Sequence, residues 1–238
     1  MAYVQSASIS SDGTTSTTVA VTFGSNVTAG NLIALFVVFN SGANIIDTVA
    51  DSLGNTYVLA DTAVGFAGDS HATYYAKNIT GGACTVTVTL TASVGYRSLV
   101  VHEASGLDTT APLDQHVINT QTTPGTGANA VTSGSVTTTT DGQYIFGATH
   151  VNNVGAGVTV TPGTGLTGRE SIDGGADSAP LESEDLIQTS AGAIAATFTQ
   201  SVDNNVTTAI MTFKAAGGGA TAWGPLLALQ NNRLVIAA

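Results

Sequence analysis

Glu103 is the side chain in this chain best placed to do chemistry. In Leu99-Val-Val-His-Glu-Ala-Ser105 the odd positions share one strand face, and Glu103 is the carboxylate on an otherwise apolar side. A carboxylate there must be hydrogen-bonded or functional, because an unpaired buried charge is costly. Paired with Asp108 or Asp114 it would be a general acid of raised pKa, since glycosidases work with two carboxylates about 5–10 Å apart. The alternative is a structural glutamate satisfied by backbone amides, Arg97 or a tyrosine hydroxyl. The surrounding residues favour that alternative.

The other reactive types are scattered. His71, His102, His116 and His150 lie in different segments without HxH or HExxH spacing, whereas zinc needs three or four converging ligands. Cys84 is the only cysteine, so no disulfide forms within the chain, and it reads as a small core residue. Acidic residues gather in Asp173-Gly-Gly-Ala-Asp177 and Glu182-Ser-Glu-Asp185, an oxygen-rich pattern that calcium can use. The DxDxDG spacing is absent, so solvated loops are the expectation there. No GxSxG elbow, P-loop or dinucleotide fingerprint is present, and no cofactor is expected. Asn26, Asn78 and Asn205 begin formal glycosylation sequons, which arise by chance in so threonine-rich a chain.

The elements that must position these residues are strands. Val19, Val21 and Phe23 alternate with polar or small neighbours, and Cys84, Val86, Val88 and Leu90 alternate with Thr85, Thr87 and Thr89. Apolar-in, threonine-out alternation marks half-buried sheet faces. Leu32-Ile-Ala-Leu-Phe-Val-Val-Phe39 is apolar on both faces, which predicts a central strand covered on both sides or one at a subunit contact. Asp51-Ser-Leu-Gly-Asn55 and Thr80-Gly-Gly82 carry turn chemistry. No stretch shows a 3.6-residue period, so almost no helix is expected.

The chain also says nearly the same thing twice. Val27-Thr-Ala-Gly-Asn-Leu-Ile33 matches Thr139-Thr-Asp-Gly-Gln-Tyr-Ile145, Thr80–Leu90 matches Ser190–Gln200, and Ser98–Gly106 matches Thr208–Ala216, which sets Cys84 against Ile194 and Glu103 against Phe213. A period this long is not a solenoid repeat. The reading is an all-β, antiparallel two-sheet sandwich, jelly-roll-like, in which two repeats (about 1–108 and 109–216) each supply half of the strands of one domain spanning 1–216. Two tandem immunoglobulin-sized sandwiches are the alternative. Residues 217–238 form a separate unit, a Gly217-Gly-Gly219 hinge followed by an apolar tail. In that tail Trp223, Leu226, Leu227, Leu229, Leu234, Val235 and Ile236 are the candidate partner-binding residues, either folded back or docked on a neighbour.

Composition limits the partners. Net charge is −11, with only five Lys and Arg, so no basic stripe can bind nucleic acid or an anionic membrane surface. Charged residues are 9% of the chain, so threonine, serine, asparagine and glycine must cover the surface, a habit of extracellular and assembled β-proteins. Met1–Gln5 lacks the start of a secretory signal, so either a leader has been removed or the protein leaves its cell by another route, as a virion component released by lysis would.

The strings Gly30-Asn-Leu-Ile33, Asp51-Ser-Leu-Gly-Asn-Thr-Tyr57, Tyr74-Tyr-Ala-Lys-Asn78, Val101-His-Glu-Ala-Ser-Gly-Leu-Asp108 and Pro112-Leu-Asp114 resemble a β-sandwich module, jelly-roll or lectin-like, of bacterial surface proteins and phage structural proteins. The resemblance covers about residues 15–215 and rests on core and turn residues. It implies a fold and brings no catalytic residues. The expectation is a non-enzymatic virion structural protein, a capsid decoration (cement) or fibre protein of a tailed phage, on the virion surface. Its partners would be like subunits or a major capsid or tail protein. A secreted or cell-surface carbohydrate-binding module or lectin is the alternative, with Tyr57, Tyr74, Tyr75 and Tyr96 as candidate platforms for surface glycans.

Overall fold

A computed structural model describes residues 1–11, 13–122, 129–152, 158–172, 180–201 and 203–217. Within them the chain is almost wholly antiparallel strand, with one short 3₁₀ turn at Phe66–Gly68. The tail residues Trp223, Leu226, Leu227, Leu229, Leu234, Val235 and Ile236 lie outside the described residues, as do Asp173 and Asp177.

The first repeat forms β1 (Ala2–Ser11), β2 (Ser16–Thr22), β3 (Leu32–Asn40), β4 (Ile46–Asp51), β5 (Tyr57–Val64), β6 (Asp69–Ala76), β7 (Thr85–Val94) and β8 (Arg97–Ser105). The second forms β9 (Leu113–Gln121), β10 (Asn129–Thr132), β11 (Val136–Thr137), β12 (Gln143–Val151), β13 (Val160–Pro162), β14 (Thr167–Ile172), β15 (Leu181–Gln188), β16 (Ala193–Ile194), β17 (Thr197–Gln200) and β18 (Val206–Lys214). Each repeat closes its own pair of sheets. The first has the five-stranded order β1-β8-β3-β6-β5 and a three-stranded sheet β2-β7-β4. The second repeats that order as β9-β18-β12-β15-β14, with β10-β17-β13 and the short pair β11-β16 as its outer layer.

The fold is therefore all-β and sandwich-like, but its layering differs from a two-sheet expectation. Each repeat contributes complete sheets, and the two large sheets stack face to face to give four layers. One apolar cluster lies between β2-β7-β4 and the first large sheet, around Val19, Val21, Leu35, Val37, Val86, Val88 and Leu99. A second joins the two large sheets, with Leu32, Phe36, Val38 and Val100 from one repeat against Tyr144, Phe146, Met211 and Phe213 from the other. A third, around Ile145, Phe198, Val206 and Ile210, sits under the second outer layer. Leu32–Phe39 is fully buried because its two faces feed two different cores, which is why that run is apolar at consecutive positions.

At the seam β1 lies beside β14 and β5 beside β9. Since β1 is the counterpart of β9, and β5 of β14, the contacts are reciprocal, as in an isologous dimer. Strand register also corrects one pairing read from sequence. Ile33 lies opposite Glu103, while its counterpart Ile145 lies opposite Thr212, so Glu103 corresponds to Thr212 and Ala104 to Phe213. The shift moves Glu103 to the face turned away from the seam, toward the first repeat's own interior.

Candidate functional site

The carboxylates that the sequence offered for acid chemistry, Glu103, Asp108 and Asp114, are each engaged by the chain itself. Glu103 is fully buried, and its oxygens accept from the Thr28 backbone amide (2.7 Å), the Asn31 side-chain amide (2.6 Å) and Gln5 Nε2 (2.7 Å). Those donors sit on β1 and on the loop entering β3, so Glu103 ties that loop to the end of β8. Arg97 is not its partner, since its guanidinium donates to the carbonyls of Thr14, Thr18 and Val94. Asp108 accepts from the amides of Thr110 (2.7 Å) and Ala111 (3.1 Å), bonds that hold its pKa below the usual range. Asp114 accepts from the Thr139 amide (2.7 Å), Thr139 Oγ1 (2.5 Å) and Gln143 Nε2 (2.6 Å). Glu103, Asp108 and Asp114 thus close three separate local networks and share no hydrogen-bond donor.

The same logic explains Asp51-Ser-Leu-Gly-Asn55. Asp51 takes the Leu53 and Asn55 amides on one oxygen, and Asn55 Nδ2 and the Tyr57 hydroxyl on the other. Partial burial raises its pKa, but these four bonds outweigh burial and the net shift is downward. Gly54 supplies the positive φ of +75° that the turn requires. Cys84 is buried in the first core, and burial, then the nearby Asp51, pushes its thiol up to about 12. It is a packing residue.

Glu182-Ser-Glu-Asp185 is not a solvated loop. These residues lie in β15 and are all buried. A strand between two partners in the large sheet alternates its faces, so Ser183 and Asp185 point into the seam while Glu184 points toward the outer layer. Glu184 accepts from the Gly163 amide (3.0 Å) and the Thr197 amide (2.9 Å), pinning the β13–β14 turn and β17 to β15. Burial raises its pKa to about 7, against those two amide bonds. Asp185 is paired with Arg169 at 2.6 Å, and the Arg169 guanidinium lies 3.7 Å over the Tyr3 ring of the other repeat.

The histidines, scattered in sequence, converge on the seam. His71 of β6 and His150 of β12 meet with Nε2 and Nδ1 3.0 Å apart. His102 of β8 places Nδ1 3.0 Å from the Tyr144 hydroxyl and Nε2 2.8 Å from Ser183 Oγ, with its ring edge-on to Phe146. All three rings are buried, and burial drives His102 and His150 down to about 3 and His71 well below its ordinary value. Arg169 adds to the effect at His102, and His150 adds to it at His71. A serine 2.8 Å from a histidine is the start of a nucleophile pair, but both are 0% exposed between two sheets and no substrate reaches them. Further bonds cross the seam: Ser6 and Ser8 to Glu170 (2.5 and 2.7 Å), Asn152 to Asp69, and exposed His116 to Asp61 at 3.3 Å.

Sequence reasoning missed this assembly because it weighed each histidine alone. The repeat held the signal. His71, His102 and His150 occupy positions that are Leu181, Met211 and Val38 in the other copy, so each is a polar residue in an otherwise apolar column. The tyrosines proposed as glycan platforms pack inward: Tyr57 and Tyr74 against the first core, Tyr75 and Tyr96 against the seam. Among the described residues, the exposed large apolar side chains are Met1, Val4, Val58, Leu59 and Val64. Compared with known families, with curated proteins and with solved structures, the chain matches none of them.

Proposed function

We propose that this chain is a non-enzymatic structural protein of a virion surface, a capsid decoration (cement) or fibre protein of a tailed phage. It would assemble with like subunits or with a major capsid or tail protein. The observation that carries the reading is the β5 edge of the first large sheet, which lies beside β9 at the seam but, among the described residues, has no strand hydrogen-bonded on its outer side. β5 pairs on one side only, with β6, and exposes Val58, Leu59 and Val64 at 39%, 47% and 53%. An unpaired apolar edge with Asp61 as its one charge invites strand pairing, and natural proteins that stay monomeric usually blunt such edges with lysine or proline. The commitment of Glu103, Asp108 and Asp114 to loop-holding bonds supports a role without catalysis. A stable contact needs about 1,000 Å² or more of buried area. The edge together with the tail residues from Trp223 to Ile236 offers apolar chain for it.

Light scattering on three chains tests this: full length, stopped after Ala216, and L59K/V64K. The full chain is expected to assemble, with both altered chains folded and of lower mass. If the full chain is a monomer at all concentrations, self-assembly is wrong, and titration against capsid proteins and a glycan panel decides what it binds instead.

A further inference from the structure

The chain's four histidines all lie on the seam between the sandwiches or at its rim, and none lies in either sandwich's own core. We propose that this seam is an acid-sensitive latch, held shut by neutral His71, His102 and His150 and loosened when they take up protons. The inference does not depend on the virion reading.

The geometry supports it in three ways. First, His71 and His150 share one hydrogen bond across 3.0 Å, so one ring donates and the other accepts. A single added proton places a charge in a space lined by Phe36, Val38 and Tyr96, and a second places two cations in contact. Second, His102 is fixed between the Tyr144 and Ser183 hydroxyls, one nitrogen donating and the other accepting, so protonation turns an acceptor into a donor. Burial and the positive charge of Arg169 both disfavour a proton on it.

Third, the seam's carboxylates are already taken. Asp69, on the same strand face as His71, accepts from Asn40 and Asn152. Asp185 holds Arg169, Glu170 holds Ser6 and Ser8, and Asp61 holds His116 at the rim. None of them is hydrogen-bonded to His71, His102 or His150. Burial raises the pKa of Asp69 and Asp185, a direction that favours the closed seam on acidification and opposes the histidines.

The sign follows from linkage. These histidines hold fewer protons in the closed seam than in water, so their contribution to closure is full above about pH 6.5 and is lost as pH falls, toward about 3 for His102 and His150. Each makes opening about ten-fold more favourable per pH unit within that window.

The repeat supplies the test variants, because His71→Leu and His150→Val install the residues that the other copy already carries at those places, Leu181 and Val38. The full chain is followed from pH 7.5 to 4 by small-angle scattering and by binding of an apolar dye, with far-UV circular dichroism reporting the strands. The expected result is expansion and dye binding while strand signal persists. In H71L/H150V the midpoint of that step should fall by about one pH unit or more, because two ten-fold factors are removed, and in H116N it should stay in place. If the double variant does not fold, H150V alone removes one factor and should still lower the midpoint, by a smaller amount. An unchanged midpoint, or loss of strand signal in the same step as expansion, overturns the proposal.

Discussion

In the first sandwich Leu35 of β3 and Tyr74 of β6 stand side by side and fill the space under the outer sheet; in the second, the corresponding neighbours are Gly147 and Glu184. Ala72 likewise becomes Glu182. Strand order is the same in both copies, so the topology tolerates two different fillings. Among the described residues, the first copy uses more apolar volume there, with eighteen buried hydrophobics in its cluster against seven in the second. The second brings its outer layer closer. A Cβ at position 147 would lie 2.8 Å from Ala196 Cβ and 2.9 Å from Glu184 Cγ, so glycine is needed for that approach. There the Glu184 carboxylate replaces lost apolar area with two amide bonds.

The largest expected effects come from disturbing those two fillings. Leu35→Ala opens a cavity in the larger apolar cluster and should cost about 2–5 kcal/mol. Gly147→Ala fails for the opposite reason, overpacking against a backbone-anchored Cβ, and should cost about 1–3 kcal/mol. Urea unfolding of both variants measures this. Equal and small losses would mean that the two sandwiches are not filled differently in any way that matters to stability.

Much of this architecture was legible in the chain, for reasons that particular residues make plain. Leu32–Phe39 announced a strand covered on both sides, because only a sheet buried on both faces makes every consecutive position apolar. The repeat announced equal topology. Layer number was not legible, because alternation says which face is buried and not which sheet covers it. The one-residue shift that pairs Glu103 with Thr212 was hidden because an ungapped alignment passes over a one-residue change in the connection to the last strand. Glu182–Asp185 looked like a loop because four polar residues in a row carry no apolar face. Each of Ser183, Glu184 and Asp185 finds its own partner once the strand is central.

Glu184 gives the next sharper test, through pH. Its folded pKa of about 7 lies above the 4.5 of an ordinary glutamate, so the stability it contributes is full below about pH 4.5 and is lost as pH rises through about 7. The whole change is about 3 kcal/mol. The seam histidines run the other way, adding stability as pH rises toward 6.5. In wild type the two trends partly cancel. Glu184→Gln removes one of them, so the gain in stability between about pH 5 and pH 7.5, read from urea midpoints, should be larger in the variant by a sizeable part of that figure. Parallel curves would mean that the Gly163 and Thr197 amides keep Glu184 ionised and that burial does not dominate.

The smallest contrast concerns the loop that enters the central strand in each copy. In the first, Glu103 reaches it from β8; in the second, Asp114 reaches it from β9, and Asn31 and Gln143 are equivalent donors. The clamp is the same and its source differs, because Thr212 at the Glu103 position cannot reach the loop. What should separate the two is water. Glu103 is fully buried, so Glu103→Ala leaves the Thr28 amide and the Asn31 side chain without an acceptor and should cost about 2–3 kcal/mol. Asp114 is half-exposed, and water can replace it, so Asp114→Ala should cost about 1 kcal/mol. A loss of activity toward a glycan in E103A, with stability unchanged, would reverse the structural assignment of Glu103 and reopen it as an acid. Equal costs at the two sites would show that burial is not what sets the strength of the clamp.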